Sequence, residues 1–400
     1  MTASVLRAEG KGDWQGWAAL VALVAAVALP LAWTDGAPAY LYDQGLRGLI
    51  AAVLVGAAVA ANLTISRSYA GSAVILLGAI AAAGAALAAL PAVEAMTAPA
   101  GPTPGTFLSA TGGFWGLVAA AWLLAWLAVR RLSETRAPGR LGGTLLKIAI
   151  PLIFGAGVIF LWEIVVRGLA VPFVIMPPPS AIWARLITSV PTLAADFRQT
   201  FLKAVLAGYA IGCGSGFLVA ILVDRVEFLK RGLLPVGNLV SALPIIGVAP
   251  IMVMWFGFDW PSKAAVVVAM TFFPMLVNTL AGLSASDRME RDLMHTYAAG
   301  YWQSLFKLRL PAALPFIFNA LKINSTLAMI GAIVAEFFGT PVVGMGFRIS
   351  TEVGRMNTDM VWAEIAVAAV AGSAFYGVVA LIERAVTFWH PSFRQSRMEG

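Results

Sequence analysis

Residues 113–131 read GFWGLVAAAWLLAWLAVRR, which is 17 uncharged residues followed by two arginines. An α-helix rises about 1.5 Å per residue, so about 20 apolar residues can cross a hydrocarbon core that is about 30 Å thick. Backbone amides in lipid must be hydrogen-bonded internally, and a helix achieves this within one segment. The stretch therefore predicts a transmembrane helix with a basic end.

Comparable apolar segments recur along the whole chain. They fall near residues 15–33, 46–63, 70–91, 113–130, 147–166, 202–223, 233–257, 263–284, 313–338 and 361–386. Of the 400 residues, 60% are hydrophobic and 12% are charged. A soluble domain carries about 25% charged residues. Composition and segment length together predict an all-α, polytopic membrane protein.

The basic residues follow the predicted topology. With the N-terminus in the cytoplasm, the inside segments hold 18 of the 27 Lys and Arg residues, the outside segments hold 8, and Lys322 lies within a span. The positive-inside rule therefore predicts a multi-pass inner-membrane protein with both termini in the cytoplasm. Because the excess of basic residues is explained by the membrane, we expect no nucleic-acid partner.

A basic linker at residues 131–146 divides the chain into two unlike parts. Residues 1–130 contain four spans with few polar residues, which predicts an accessory N-terminal region. Residues 147–390 contain six spans rich in Gly, Pro and Asn, and residues 391–400 form a predicted cytoplasmic tail. Polar or Gly-rich spans usually pack closely or line a path, so we expect the function to lie after residue 147.

Several kinds of chemistry have no signal in this sequence. There is no G-x-x-x-x-G-K-[ST] phosphate loop. One cysteine and two histidines do not form a metal-ligand pattern. We therefore predict no catalytic residue, no metal site and no cofactor bound by this chain.

The predicted cytoplasmic loop from Ser286 to Pro311 reads SDRMERDLMHTYAAGYWQSLFKLRLP. Its apolar residues recur at roughly helical spacing, which predicts a short amphipathic helix at the membrane surface. These residues are Leu293, Ala298, Trp302, Leu305 and Leu308. From the pattern alone, a helix that only anchors the loop at the interface is an equal alternative.

This loop resembles the coupling loop of permeases of binding-protein-dependent ABC importers. That pattern contains Glu-Ala-Ala, three residues and a glycine, and it ends in a hydrophobic residue, any residue, Leu and Pro. The chain has this ending at Leu308-Arg309-Leu310-Pro311, while the family acid falls on Asp292 and the family glycine on Ala298. The resemblance implies an ATPase-coupling loop formed by Asp292, Ala298, Ala299, Gly300, Leu308, Leu310 and Pro311, with a tight turn between two short helices at the small residues.

Other segments resemble the nitrate/sulfonate/taurine-type subfamily of these permeases. They are MPPPSAIW at 176–183, LPIIGVAP at 243–250 and GAIVAEFFG at 331–339. The resemblance covers about 147–390 and implies a six-helix permease core that dimerises with itself. It also implies a periplasmic or lipid-anchored substrate-binding protein and a separate ABC ATPase subunit that binds ATP and Mg. Within the first of these segments, Ser180 is predicted to cap a helix after Pro179.

Polar residues inside the predicted spans are candidates for the solute pathway. A charge at mid-bilayer costs about 2.5–3.5 kcal/mol, so such residues normally face protein or water. Glu163 and Glu336 lie near the ends of their spans, where they could reach the interface. The candidate pathway residues are Lys322, Asn319, Asn324, Asn278 and Glu336, with packing between helices as the alternative role.

Two other functional classes remain open from the sequence. A secondary transporter driven by an ion gradient would suit ten spans, although the two halves show no evident inverted repeat. A membrane enzyme would need clustered acids, bases or metal ligands, which the sequence does not show. For an importer, the resemblance implies a small nutrient such as nitrate, a sulfonate, taurine, a thiamine-precursor pyrimidine or riboflavin. The absence of a strong basic ring favours an aromatic, weakly charged solute.

Overall fold

The computed structural model describes residues 14–34, 37–41, 46–64, 69–97, 112–134, 139–226, 228–229, 231–233, 244–339 and 343–388. The chain divides into two compact units, Met1–Ala181 and Ile182–Gly400. The predicted tail at 391–400 and parts of the predicted linker and of the 233–257 span lie outside the described residues.

The N-terminal unit is a bundle of long apolar helices. Its elements are α1 (Trp14–Ala28), β1 (Ala32–Thr34), β2 (Ala37–Ala39), α2 (Leu46–Thr64), α3 (Tyr69–Thr97), α4 (Gly112–Glu134) and α5 (Gly139–Gly168). The two short strands pair antiparallel, with Ala32 opposite Ala39, and are the sole strand pairing among the described residues.

Small residues let the helices of this unit approach closely. A Cβ atom on Gly116 of α4 would lie 2.8 Å from the carbonyl oxygen of Ala22 in α1. A Cβ atom on Gly78 of α3 would lie 2.3 Å from the Cβ atom of Ala58 in α2. Close backbone approach through small residues is the usual basis of helix packing in lipid, where hydrophobicity does not drive helices together.

The chain then continues through α6 (Pro179–Thr188) into the helices of the C-terminal unit. Helix α7 (Val190–Phe197) passes through a π-helical stretch (Arg198–Val205) into α8 (Leu206–Arg225). The remaining elements are α9 (Ile245–Phe256), α10 (Trp260–Ser284), α11 (Arg288–Thr296), α12 (Tyr301–Ser304), α13 (Leu310–Glu336), α14 (Met345–Gly354) and α15 (Thr358–Val386).

Helix α10 lies at the centre of the C-terminal unit, packed against α8, α9 and α13. Glycines four residues apart on α8 face it. Cβ atoms on Gly208 and Gly212 would lie 2.5 Å from the Cβ atom of Val267 and 2.1 Å from Oγ1 of Thr271. This spacing places the small residues on one face of α8, so α8 and α10 are held in contact along that face.

The helices confirm the prediction of an all-α, polytopic membrane protein. Among the described residues, seven helical segments are long and apolar enough to cross a membrane: Gly71–Glu94, Gly112–Glu134, Gly142–Gly168, Val190–Arg225, Trp260–Ser284, Tyr301–Glu336 and Thr358–Val386. Three shorter apolar helices are Trp14–Ala28, Ile50–Ala60 and Ile246–Phe256. Each of the ten segments found in the sequence overlaps one of these helices.

Two local predictions, for Ser180 and Glu163, differ from the structure. Helix α6 begins at Pro179, and Ser180 does not cap it: Oγ and the backbone N–H of Ser180 donate to Oε1 and Oε2 of Glu163, at 2.7 and 2.9 Å. Glu163 is buried, with 8% of its surface exposed, so the expectation that it reaches the interface is wrong. Proline suits the first position of a helix because that position needs no N–H donor.

Arg167 connects Glu163 of α5 to another helix of the same unit. Its Nε and Nη2 atoms donate to the two carboxylate oxygens of Glu94 in α3, at 2.5 and 3.0 Å. Its Nη1 atom donates to Oε1 of Glu163, at 3.0 Å. The two acids therefore share one guanidinium, which joins α3 to α5 near the ends of both helices.

Candidate functional site

The segment from Ser286 to Pro311 forms two short helices, α11 and α12, and not one continuous helix. Asp287 caps α11, because its Oδ1 atom accepts a hydrogen bond from the backbone N–H of Met289 at 3.1 Å. The chain turns at residues 297–300 before α12 begins. The prediction of a single amphipathic helix through Ala298 is therefore wrong, because the apolar stripe is interrupted at this turn.

The turn places Ala298 in the left-handed region, with φ of 53°. The backbone N–H of Ala298 donates to the carbonyl of His295, and that of Ala299 donates to the carbonyl of Met294, so the end of α11 is hydrogen-bonded. Gly300 has φ of −67°, and its N–H donates to Oε1 of Gln303 at 3.1 Å. The position that favours glycine is therefore Ala298 and not Gly300.

Helix α12 is joined to the membrane helix α13 without a break. Residues Leu305–Arg309 are π-helical and lead directly into α13, which carries Pro311 in its first turn. A proline inside a helix clashes with the carbonyl four residues earlier, and a local π-helical widening relieves such conflicts. Leu308 and Leu310 are half-buried, and Leu310 packs against the buried cluster that includes Leu305.

An ion pair fixes this junction to the neighbouring helices. The guanidinium of Arg309 donates to both carboxylate oxygens of Asp224 at the end of α8, at 2.8 and 2.7 Å. Its Nε atom donates to the carbonyl of Leu283 in α10, at 3.0 Å. The hydroxyl of Tyr301 also donates to Asp224, at 3.0 Å. We call Asp224, Tyr301 and Arg309 the junction clamp.

The outward side of the same segment is apolar and exposed. Its aromatic and aliphatic side chains are each more than half exposed: Met289, Leu293, Tyr297, Trp302 and Phe306. The rings of Trp302 and Phe306 stack at 6.0 Å, and the guanidinium of Arg225 lies 5.6 Å from the Trp302 ring. Asp292 is exposed on α11. An exposed apolar surface with this composition is typical of an interaction site.

The sequence-based pathway residues do not form one cluster. Lys322 of α13 pairs with Glu383 of α15, with 2.7 Å between Nζ and Oε2. Asn324 is fully buried and donates to the carbonyl of Thr271, at 2.8 Å, and to Sγ of Cys213, at 3.2 Å. Asn278 donates to the carbonyl of Pro274 in its own helix, while Asn319 is exposed. Three of these side chains are thus engaged with protein groups.

Glu336 lies at the other end of α13 and is buried, with 2% of its surface exposed. The expectation that it reaches the interface is therefore wrong. Its carboxylate accepts hydrogen bonds from Oγ1 of Thr200, at 2.8 Å, and from the backbone N–H of Gly346, at 2.7 Å. The N–H of Gly344 donates to Asp196, at 2.6 Å, and that of Met345 donates to Thr200, at 2.8 Å. These groups satisfy the free amides at the start of α14.

Gly344 is required at this position for two reasons. Its φ is 145°, which side-chain-bearing residues rarely adopt, and a Cβ atom would lie 2.7 Å from Oε1 of Glu336. A second buried group is Lys263, whose Nζ donates to the carbonyls of Phe258 and Gly339 and to Oγ of Ser262. Backbone carbonyls from separate segments leave no pattern in the sequence, so sequence reasoning missed this lysine.

Asp259 begins the helix that contains Lys263. Its carboxylate accepts from the backbone N–H of Trp260, at 2.8 Å, and from Nε2 of Gln199, at 2.7 Å. These hydrogen bonds hold the pKa of the Asp259 carboxyl below its usual range. The sequence Asp259-Trp260-Pro261, an N-cap acid with a proline in the first helical turn, is a signal that could have located this helix start.

Comparison with known proteins identifies the class that this architecture belongs to. Residues 208–388 match the family described as the binding-protein-dependent transport system inner membrane component. The chain is 30% identical to the formylaminopyrimidine transport permease protein ThiX of Halalkalibacterium halodurans, over 60% of this chain and 95% of the relative. It is 28% identical to the riboflavin transport system permease protein RibX of Chloroflexus aurantiacus, over 58% and 86% of the two chains.

The taurine transport system permease protein TauC of Escherichia coli is a further relative, 27% identical over 57% of this chain and 85% of its own length. The chain therefore belongs to the family of ABC importer permeases, and its resemblance to the nitrate/sulfonate/taurine-type subfamily is confirmed. The family match begins at residue 208, so the N-terminal helices lie outside it.

The first prediction concerns the turn at residues 297–300 of the Ser286–Pro311 segment. Ala298→Gly should stabilise the protein by about 1 kcal/mol, because a left-handed backbone costs an L-residue about 1–2 kcal/mol and costs glycine almost nothing. Thermal unfolding of the detergent-purified protein measures the change. The matched control is Ala299→Gly, which has no such strain to relieve and should give no gain. Equal effects of the two variants would contradict the assignment of strain to Ala298.

The second prediction concerns the junction clamp. Arg309→Met should lower the free energy of unfolding by roughly 3 kcal/mol, because it leaves the carboxylate of Asp224 buried without its cation. Lys307→Met is the control, since Lys307 is exposed and forms no ion pair among the described residues. Melting temperatures of both variants in the same detergent give the comparison. A clamp variant as stable as the control would show that the ion pair contributes little.

The third prediction separates the two roles considered for Lys322. Lys322→Met should lower the melting temperature, because the carboxylate of Glu383 loses its partner, and the double variant Lys322→Met/Glu383→Gln should recover much of the loss. We expect solute uptake per folded transporter to be unchanged in the double variant. A stable double variant with impaired uptake would instead assign Lys322 to the solute pathway.

Proposed function

We propose that this chain is the membrane-spanning subunit of an ATP-driven importer, in which the Ser286–Pro311 segment transmits movement from a separate ATPase subunit to the membrane helices. Family membership supplies the transport function. The observation that carries the coupling role is the exposed apolar face of α11 and α12, of which α12 continues into α13 without a break.

The continuous helix from α12 into α13 would transmit a displacement of the Ser286–Pro311 segment to the membrane helices. A helix that continues from α12 through the π-helical stretch into α13 has no flexible loop to absorb displacement. The junction clamp adds bonds to α8 and α10, so three helices would follow the same movement. Coupling then amounts to a shift between two packings of these helices, one favoured by ATP and one by its products.

The exposed face has the chemistry of a protein-docking surface. Tyr and Trp are enriched among the residues that dominate binding energy at interfaces, and here they lie beside aliphatic side chains at the tip of the segment. Charged residues of α11 form the polar rim that such interfaces usually have. We therefore propose that this face binds the ABC ATPase subunit, which would carry ATP and Mg.

The complete importer would contain two copies of this permease and a periplasmic or lipid-anchored binding protein that delivers the solute. For the solute we propose a small aromatic, weakly charged molecule. The names of two relatives, for formylaminopyrimidine and riboflavin transport, support this class, whereas TauC is named for taurine. A thermal-shift screen of the partner binding protein against pyrimidines, flavins, taurine and alkane sulfonates would decide between them.

The fourth prediction tests the docking face. Leu293→Asp should abolish co-purification of the co-expressed ATPase subunit, and ATP-driven uptake in proteoliposomes should fall with it, because the change inserts a charge into the apolar face. The melting temperature should stay unchanged, since Leu293 is 56% exposed.

The matched control is His295→Asp, which places the same charge two residues along α11 and so about 200° around the helix. It should retain the ATPase. Loss of the ATPase in both variants, or in neither, would contradict the proposed face. Uptake by the permease alone under an ion gradient would favour a secondary transporter instead.

A further inference from the structure

A groove lies between α4 and α5 of the N-terminal unit. Its volume is about 320 Å³, within the range of about 300–1,000 Å³ that is usual for small-molecule sites. Aromatic side chains dominate its walls, with Trp122 and Trp126 on α4 and Phe154 on α5. Trp126 and Phe154 are 46% and 59% exposed, so the groove opens on the surface of the unit.

Packing holds the walls of the groove in place. The ring of Trp126 meets that of Trp14 edge-to-face, with centroids 5.4 Å apart, and the rings of Trp122 and Phe154 lie 6.4 Å apart. At the floor, a Cβ atom on Gly157 would lie 3.3 Å from Cζ3 of Trp122. The absence of a side chain at Gly157 therefore lets the Trp122 ring lie against α5.

A free cation lies beyond one end of the groove. Lys147 is seven residues before Phe154 on α5, which places it on the same helix face about 10 Å away. It is exposed and forms no ion pair among the described residues. In the sequence it ends the basic block that begins with Arg130, and the positive-inside rule places this end of α5 in the cytoplasm.

We infer that this groove binds one acyl chain of an anionic phospholipid, whose headgroup is held by Lys147 at the cytoplasmic face. The apolar aromatic walls match the acyl chain, and the basic end matches the headgroup. Basic pockets between membrane helices on the cytoplasmic side bind acidic lipid headgroups in the same way. This inference does not depend on the proposed coupling role.

Charge favours lipid over a second copy of the chain as the occupant. Two copies inserted in the same orientation would present the same basic block at the same side of the membrane. Contact between like charges at an interface is costly, whereas an anionic headgroup neutralises them. An acidic lipid therefore matches both the apolar walls of the groove and its basic end, whereas a second copy of the chain matches only the apolar walls.

The test uses the full chain in vesicles that contain phosphatidylglycerol with a diazirine on one acyl chain. Photolabelled peptides are mapped by mass spectrometry, and phosphatidylcholine with the same acyl chains is the neutral probe. Wild-type protein should be labelled by phosphatidylglycerol within residues 122–129 and 153–157, and more weakly by phosphatidylcholine. Lys147→Gln should lower labelling by phosphatidylglycerol about fivefold, which corresponds to about 1 kcal/mol for one basic residue near the surface.

Two glycine variants test the groove itself. Gly157→Leu should remove the label because the new side chain fills the groove. Gly155→Leu should keep the label, since a side chain there would meet nothing within 4 Å. Equal labelling by the two lipids, full labelling of Lys147→Gln, or cross-links between two copies at the groove would each overturn the inference. Lys147→Gln alters an exposed residue, so it remains informative if Gly157→Leu does not fold.

Discussion

The ion pair between Asp224 and Arg309 is the constraint on which the geometry of the junction between α12 and α13 depends. Asp224 lies at the end of α8, Arg309 directly precedes α13, and the Nε atom of Arg309 donates to the carbonyl of Leu283 in α10. The Asp224 side chain is only 5% exposed, and removal of one partner would leave an uncompensated buried charge. The three helices are therefore fixed relative to one another where α12 continues into α13, so α12 cannot rotate independently of them.

Buried polar groups are also paired at the opposite ends of these helices. The amides at the start of α14 would be unsatisfied in a low-dielectric setting, and Asp196, Thr200 and Glu336 supply the acceptors. Lys263 performs the converse task, since it donates to carbonyls that no helix satisfies. The polar side chains named here thus complete backbone hydrogen bonds or pair with each other. A polar residue within a span is therefore weak evidence for a solute path until its partners are known.

Sequence reasoning succeeded where the physical cause is local. The length of each apolar segment predicts a membrane helix, because hydrocarbon thickness and helix rise together determine the number of residues needed. The motif in the Ser286–Pro311 segment predicts a tight turn at small residues, and Ala298 is the left-handed residue of that turn, whereas the coupling role of the segment stays a prediction. Reasoning failed where the partner is distant in sequence: Asp224 and Arg309 are 85 residues apart, and Asp196 and Gly344 are 148 apart. Ser180 shows the same limit. A serine after a proline suggests a helix cap, but the Ser180 hydroxyl donates to Glu163 on the preceding helix.

The N-terminal helices are joined to the rest of the chain through α5. Sequence composition sets the boundary of the permease core at residue 147, before α5, and that boundary remains a prediction, whereas contacts group α5 with the N-terminal unit. Arg167 explains this grouping, because it connects Glu94 of α3 to Glu163 of α5. Without α3, Arg167 would keep Glu163, and Glu163 would still hold Ser180. Within the N-terminal unit, α3 therefore controls the lateral packing of α5 more than the anchoring of the start of α6.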